Sequence, residues 1–169
     1  ASNFNGQLPR DLTALRTLPG IGRYTVGAIA SISFKMDEPT LDGNLRRVFS
    51  RLYDVTEFAD SPVGEKILWD VAAQNLPKGK AGDYNQALMD LGATICLPKN
   101  PRCLLCPLMD MCKARENGTQ ELRPVLKAKK QVPQYIHAAA VIMERGCVLL
   151  SQRPADGLLG GMWEFPNAR

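Results

Sequence analysis

Four cysteines within 17 residues, Cys96, Cys103, Cys106 and Cys112, constrain this chain more than any other feature. Set out as C-x6-C-x2-C-x5-C, they are too tightly grouped for a secreted disulfide framework and close enough to wrap one inorganic centre. Pro98, Pro101 and Pro107 stiffen the turns between them. Spacing alone accepts either Zn²⁺ or a 4Fe–4S cluster, because both take four thiolates. Either one belongs in a reducing compartment. The fifth cysteine, Cys147, stands alone in a β-rich run and is expected as a buried core residue.

Upstream of the cysteines the sequence reads as successive short helices. Asp11 to Thr17 is a short helical stretch, stopped by Leu18-Pro19-Gly20-Ile21-Gly22, and Arg23 to Phe34 resumes. A glycine turn between helices can turn backbone N–H groups outward, a seat for a phosphate oxygen, and Arg23 follows it directly. The plain alternative is a helix–helix turn. Asp42 is the expected N-cap of the next helix. There Leu45, Val48, Phe49 and Leu52 recur at helical spacing as the apolar face, leaving Arg46, Arg47, Ser50 and Arg51 for a solvated one. Ser61-Pro62 starts another helix that points Ile67, Leu68, Val71 and Ala72 inward. A last helix over residues 83–95 buries Ala87, Leu88, Leu91 and Ile95 and leads directly to Cys96.

Charge locates a further boundary. The formal net charge is +4, and residues 113–133 supply all of it: Lys113, Arg115, Arg123, Lys127, Lys129 and Lys130 against Glu116 and Glu121. That stretch reads as a basic linker, a solvated connector or a phosphate contact. Beyond it, residues 136–143 and 147–151 are β-rich runs joined by Glu144-Arg145-Gly146, the pattern of a hairpin. Two strands and a tail cannot bury a core alone. No run of 18 apolar residues exists, so a membrane-spanning segment is not expected. The opening Ala1-Ser2-Asn3 reads as though cut from something longer.

Taken together and in order, the glycine hairpin, Leu41-Asp42-Gly43-Asn44 and the four-cysteine run resemble the helix–hairpin–helix DNA glycosylase superfamily with its iron–sulfur loop, over roughly residues 8–112. Within it the sequence is most similar to the adenine DNA glycosylases of the MutY type. Residues 83–93 leading into Cys96 look like their helix before the cluster, and residues 157–166 look like the opening of their Nudix-like recognition domain. Tyr24 stands where the endonuclease III branch carries a lysine.

The resemblance implies a mainly α fold: the C-terminal part of a helix–hairpin–helix glycosylase domain with its iron–sulfur loop over residues 1–112, a basic interdomain linker over 113–133, and the first strands of a truncated Nudix-like α/β domain over 134–169. It implies a base-excision-repair enzyme that removes adenine mispaired with 8-oxoguanine or guanine by hydrolysing its N-glycosidic bond. Its partner would be double-stranded DNA carrying those mispairs, its cofactor a 4Fe–4S cluster, its state a monomer. It would work in the bacterial cytoplasm at the nucleoid, or in a eukaryotic nucleus or mitochondrion. By carry-over, Asp42 stabilises the cationic sugar, with Asn44 and Tyr24 supporting its geometry. Gly20, Ile21, Gly22 and Arg23 hold a DNA phosphate, and Cys96, Cys103, Cys106 and Cys112 ligate the cluster. Tyrosine cannot form an imine with the sugar, so Tyr24 implies a monofunctional enzyme. The family's general acid is a glutamate N-terminal to the hairpin. No Glu precedes Glu38 here, so these 169 residues alone are expected not to excise adenine. Two alternatives are an endonuclease III-type glycosylase/lyase and a non-catalytic iron–sulfur module that binds DNA.

Overall fold

The computed structural model describes residue 4, residues 6–128 and residues 133–168, and it divides into two units, 1–128 and 129–169. Residues 1–3 and 5 at the start and residues 129–132 of the expected linker lie outside the described residues, as does residue 169.

The first unit is helical. α1 (Leu12–Arg16) begins where the Asp11 carboxylate accepts the Ala14 amide at 2.7 Å. The hairpin follows, with Gly20 at φ +79°, a left-handed backbone that glycine adopts without penalty. α2 (Arg23–Ala28) then runs into one π turn, Ile29–Ser33. α3 (Gly43–Leu52) is capped by Asp42, and α4 (Pro62–Gln74) by Ser61, whose Oγ accepts the Gly64 amide at 3.1 Å. α5 (Ala81–Thr94) leads into the cysteine loop, after which comes the single turn of α6 (Lys113–Glu116).

The apolar stripe of α3 nucleates the core. Leu45, Val48 and Phe49 meet Leu68, Trp69 and Ala72 of α4 and Leu88 and Leu91 of α5. α5 can lie close on α3 because Gly92 has no side chain; a Cβ there would stand 2.6 Å from the Asn44 Cβ. Likewise Gly27 lets α2 press on the backbone of Pro39, in the segment that leads to Asp42. Buried Asn85 ties these pieces, donating to Ser31 Oγ at 2.9 Å and to the Glu38 carbonyl at 3.0 Å.

Three expectations about the helical unit need correction. Ala87 is exposed, on the wall of an open apolar groove of about 870 Å³ shared with Tyr53, Tyr84 and Leu108. The arginines of α3 are not a solvated face: Arg51 is buried, Arg46 and Arg47 are partly so, and all three bond backbone carbonyls of other segments. The front of the expected linker, residues 113–128, belongs to the helical unit rather than to a solvated connector. Ala114 is fully buried, Val125 accepts the Ala59 amide at 2.8 Å, and the Arg123 guanidinium lies 2.7 Å from the Asp54 carboxylate. The Arg123 Nε–H is not aimed at that oxygen, so this contact is an ion pair rather than a hydrogen bond. Asp54 also accepts Asn117 Nδ2 at 2.9 Å and Thr119 Oγ1 at 2.7 Å. Charge in this segment therefore serves to fold the segment back.

The second unit is three short antiparallel ladders. β1 (Ala138–Ala139) pairs with β6 (Asn167–Ala168), β2 (Met143–Glu144) with β3 (Cys147–Val148), and β4 (Ser151–Gln152) with β5 (Trp163–Glu164). The expected hairpin is β2–β3, turning through Arg145 (φ 49°) and Gly146 (φ 80°), the two positive φ angles that a tight hairpin turn needs. Its strands are shorter than the β-rich runs, and Cys147 is exposed rather than buried. Few strands bury no common core, so nothing covers it. Among the described residues no helix is long and apolar enough to cross a membrane.

Candidate functional site

Asp42 sits at the junction of hairpin helix and core helix. One carboxylate oxygen accepts the Leu45 amide at 2.7 Å, capping α3; the other accepts Asn44 Nδ2 at 3.2 Å. Two residues earlier, buried Thr40 donates its hydroxyl to the Tyr24 carbonyl at 3.1 Å. This bond and the Gly27 contact fix the Asp42 segment against α2 through the Tyr24 backbone, and Asn44 pairs with Asp42 directly. Tyr24 is 40% exposed. Asp42 is half-buried, open enough for a ligand to approach.

In the hairpin, the Ile21 amide is used internally, donating to the Leu18 carbonyl at 3.1 Å. The amides of Gly20 and Gly22 donate to nothing among the described residues. Two of the expected phosphate donors are thus available, and Ile21 contributes shape only.

The arginines of α3 were missed as site residues. Asn44 Oδ1 accepts Arg47 Nη2 at 2.9 Å, and Arg47 continues to the carbonyls of Gly92 and Cys96, each at 2.7 Å. Burial lowers the pKa of Arg47 from its ordinary value, yet a guanidinium remains charged at neutral pH. Arg46 bonds the Ala59 carbonyl at 2.6 Å and lies 3.7 Å from Glu65. Arg51 is 2% exposed and is the hub of the cysteine loop. It donates to the carbonyls of Leu97 and Gln120 at 2.7 Å, to those of Pro98 and Arg123 at 3.2 Å, and to Cys96 Sγ at 3.3 Å. An Arg four residues after another on a helix reads as a surface stripe. The signal available was that the segments following α3 must return over it, bringing carbonyls in need of donors.

All four clustered cysteines line one small cavity with Arg51 beside it. Burial pushes the Cys103 and Cys106 thiols up, so binding iron there displaces protons. Among the described residues no three His, Cys, Asp or Glu side groups converge tightly enough to hold a single metal ion. Four thiols around a common cavity form a donor set that a four-cysteine metal centre requires.

Known proteins carry the same features. Residues 96–112 match the iron–sulfur binding domain of endonuclease III. The sequence is 34% identical to the adenine DNA glycosylase of Homo sapiens over 97% of its own length and 38% of that protein's. It is 36% identical to that of Arabidopsis thaliana (94% and 28%) and 33% identical to that of Buchnera aphidicola (97% and 47%). The protein is a homologue of the adenine DNA glycosylases. It spans less than half the length of each of these relatives. Among solved structures it resembles a thermostable thymine-DNA glycosylase, with TM-score 0.62 and 33% identity over 69% of its own length and 53% of the other's. It also resembles endonuclease III in a non-covalent DNA complex, with TM-score 0.57 and 27% identity over 70% and 54%. The helical unit of this adenine glycosylase homologue therefore has the helix–hairpin–helix glycosylase fold, and its cofactor is the 4Fe–4S cluster.

Proposed function

We propose that this protein is part of a monofunctional adenine DNA glycosylase acting on duplex DNA, where it hydrolyses the N-glycosidic bond of adenine paired with 8-oxoguanine or guanine. The observation that carries the reading is the pairing of Asp42 with the hairpin helix through Thr40 and Tyr24. The target adenine must leave the base stack before its glycosidic bond can be reached. Cleavage builds positive charge on the sugar, the electronic problem that glycosidases meet with carboxylates. Asp42 supplies that carboxylate, its orientation set by the Leu45 amide and by Asn44. The Gly20 and Gly22 amides hold the DNA backbone. Tyr24 has no amine with which to form an imine, so the product is an intact strand with an abasic site.

Cys96, Cys103, Cys106 and Cys112 are the residues that hold the cluster, which supplies no chemistry to the glycosidic bond but orders the loop. We read residues 134–168 as the beginning of a Nudix-like recognition domain, and the helical unit with its returning 113–128 segment as part of the catalytic domain. The test is single-turnover adenine release, with the longest natural form of the protein, from duplexes with adenine opposite 8-oxoguanine, guanine or thymine. Release is expected from the first two, with strand scission only after alkali. Release from the thymine pair at equal rate, or scission without alkali, would refute the reading.

A further inference from the structure

Arg23, the first residue of α2, carries its guanidinium carbon 3.8 Å from the centroid of the Trp69 ring. Trp69 belongs to α4, is 5% exposed and is part of the core, so its indole is a fixed surface. The arginine on top of it is exposed. Arg23, like Arg10 over Phe34, differs from the four arginines bonded across this unit. Arg46 and Arg123 face carboxylates, and Arg47 and Arg51 are saturated by carbonyls. Among the described residues Arg23 makes no ion pair and no side-chain hydrogen bond, and its guanidinium lies over the ring.

A guanidinium over an aromatic face is held by the ring's quadrupole, and its N–H donors stay free for another partner. Such donors match two oxygens of a phosphate, and stacking removes in advance the rotamer freedom that binding would otherwise cost. In the chain Arg23 follows Gly22 directly, and the Gly20 and Gly22 amides donate to nothing among the described residues.

We propose that Trp69 is a positioning residue: it holds the guanidinium of Arg23, the residue that follows the hairpin, so that its free donors grip a backbone phosphate of duplex DNA. This rests on the proposed DNA-binding function and adds to it a residue from a different helix. Arg23 carries the charge; Trp69 decides where that charge is.

The experiment titrates the cluster-loaded protein with a short labelled duplex containing adenine opposite 8-oxoguanine, at salt from about 50 to about 200 mM. Arg23→Gln is expected to weaken binding about tenfold at ~0.1 M salt and to flatten the log K against log salt slope by about 0.9, the release of one counterion. Trp69→Leu should do the same, whereas Trp69→Phe, which keeps a ring face, should stay nearer the parent. In the Arg23→Gln background, Trp69→Leu should add nothing, because both changes remove one contact. An equal loss in that background makes Trp69 a scaffold residue and overturns the proposal, as does an unchanged slope in Trp69→Leu.

A fluorescence measurement decides the matter even if Trp69→Leu fails to fold. With Trp163→Phe, Trp69 is the only tryptophan left. Its emission should change on Arg23→Gln without DNA, and again when the parent binds DNA; constancy in both overturns the proposal. If the parent shows no salt-dependent DNA binding while Arg23→Gln still alters Trp69 emission, the stack is real but the DNA reading has failed, and the phosphate role with it.

Discussion

Replacing Arg51 with methionine keeps most of the volume and removes the guanidinium that holds the cysteine loop together. Four backbone carbonyls and one cysteine sulfur lose their donor, at a site where Arg51 is 2% exposed and water cannot substitute. Hydrogen bonds from a charged group contribute about 1.5–3 kcal/mol each. The two 2.7 Å bonds, to Leu97 and Gln120, are the strong ones and together suggest about 3–6 kcal/mol. Against this, the variant no longer has a cation to desolvate, which brings the expected loss to about 3–5 kcal/mol. A domain of this kind has on the order of 5–15 kcal/mol in all, so the variant should be marginal. Guanidinium denaturation followed by helical circular dichroism gives the loss, and iron per protein molecule with visible absorption gives cluster retention. Arg51→Lys keeps the charge but cannot span carbonyls from residues 97, 98, 120 and 123, and should fall in between. A methionine variant within about 1 kcal/mol of the parent, with full iron content, would show that the carbonyls find other partners and that Arg51 is not the hub.

Asp42→Asn retains most of the α3 cap, since Asn caps about as well as Asp; in the longest natural form, adenine release in single turnover should fall roughly 10²-fold or more while duplex binding persists, and a near-parental rate would reduce Asp42 to a cap. Hydrogen bonds from Asn117 and Thr119, with the Arg123 charge, hold the Asp54 carboxyl below its ordinary range. A depressed folded pKa means that this stabilisation is complete above the ordinary carboxylate range and is lost as pH falls through it. Acidification from about pH 5 downward should therefore destabilise the parent more than Asp54→Asn, as read by urea midpoints at each pH. Equal acid sensitivity would place the titrating group elsewhere. Gly92→Ala puts a methyl 2.6 Å from the Asn44 Cβ, where α5 crosses α3. It should cost about 1–3 kcal/mol by overpacking and slow adenine release through Asn44 and Asp42; a thermal melt matching the parent would show that the helices can part freely.

Local features were legible in the sequence because their causes are local. A capping carboxylate at Asp42, a serine–proline helix start at Ser61-Pro62, a glycine turn over residues 18–22 and a thiolate run over residues 96–112 each need only a few neighbouring residues to declare themselves. The α3 stripe of Leu45, Val48 and Phe49 was likewise visible as periodicity and is the core. Tertiary structure alone decided what the polar faces of the same helices do. Arg46, Arg47 and Arg51 fall on the side that periodicity gives to solvent, but later segments return over it and present carbonyls of residues 59, 92, 96, 97 and 120, whose need for donors cannot be read from α3. The basic stretch after Cys112 was misread for the same reason: its Arg123 answers Asp54, at the far end of α3, and a salt bridge between residues so distant leaves no trace in local composition. Trp69 beneath Arg23 is the third case. Each residue looks ordinary in its own helix, and only the packing of α4 beside α2 makes them a pair.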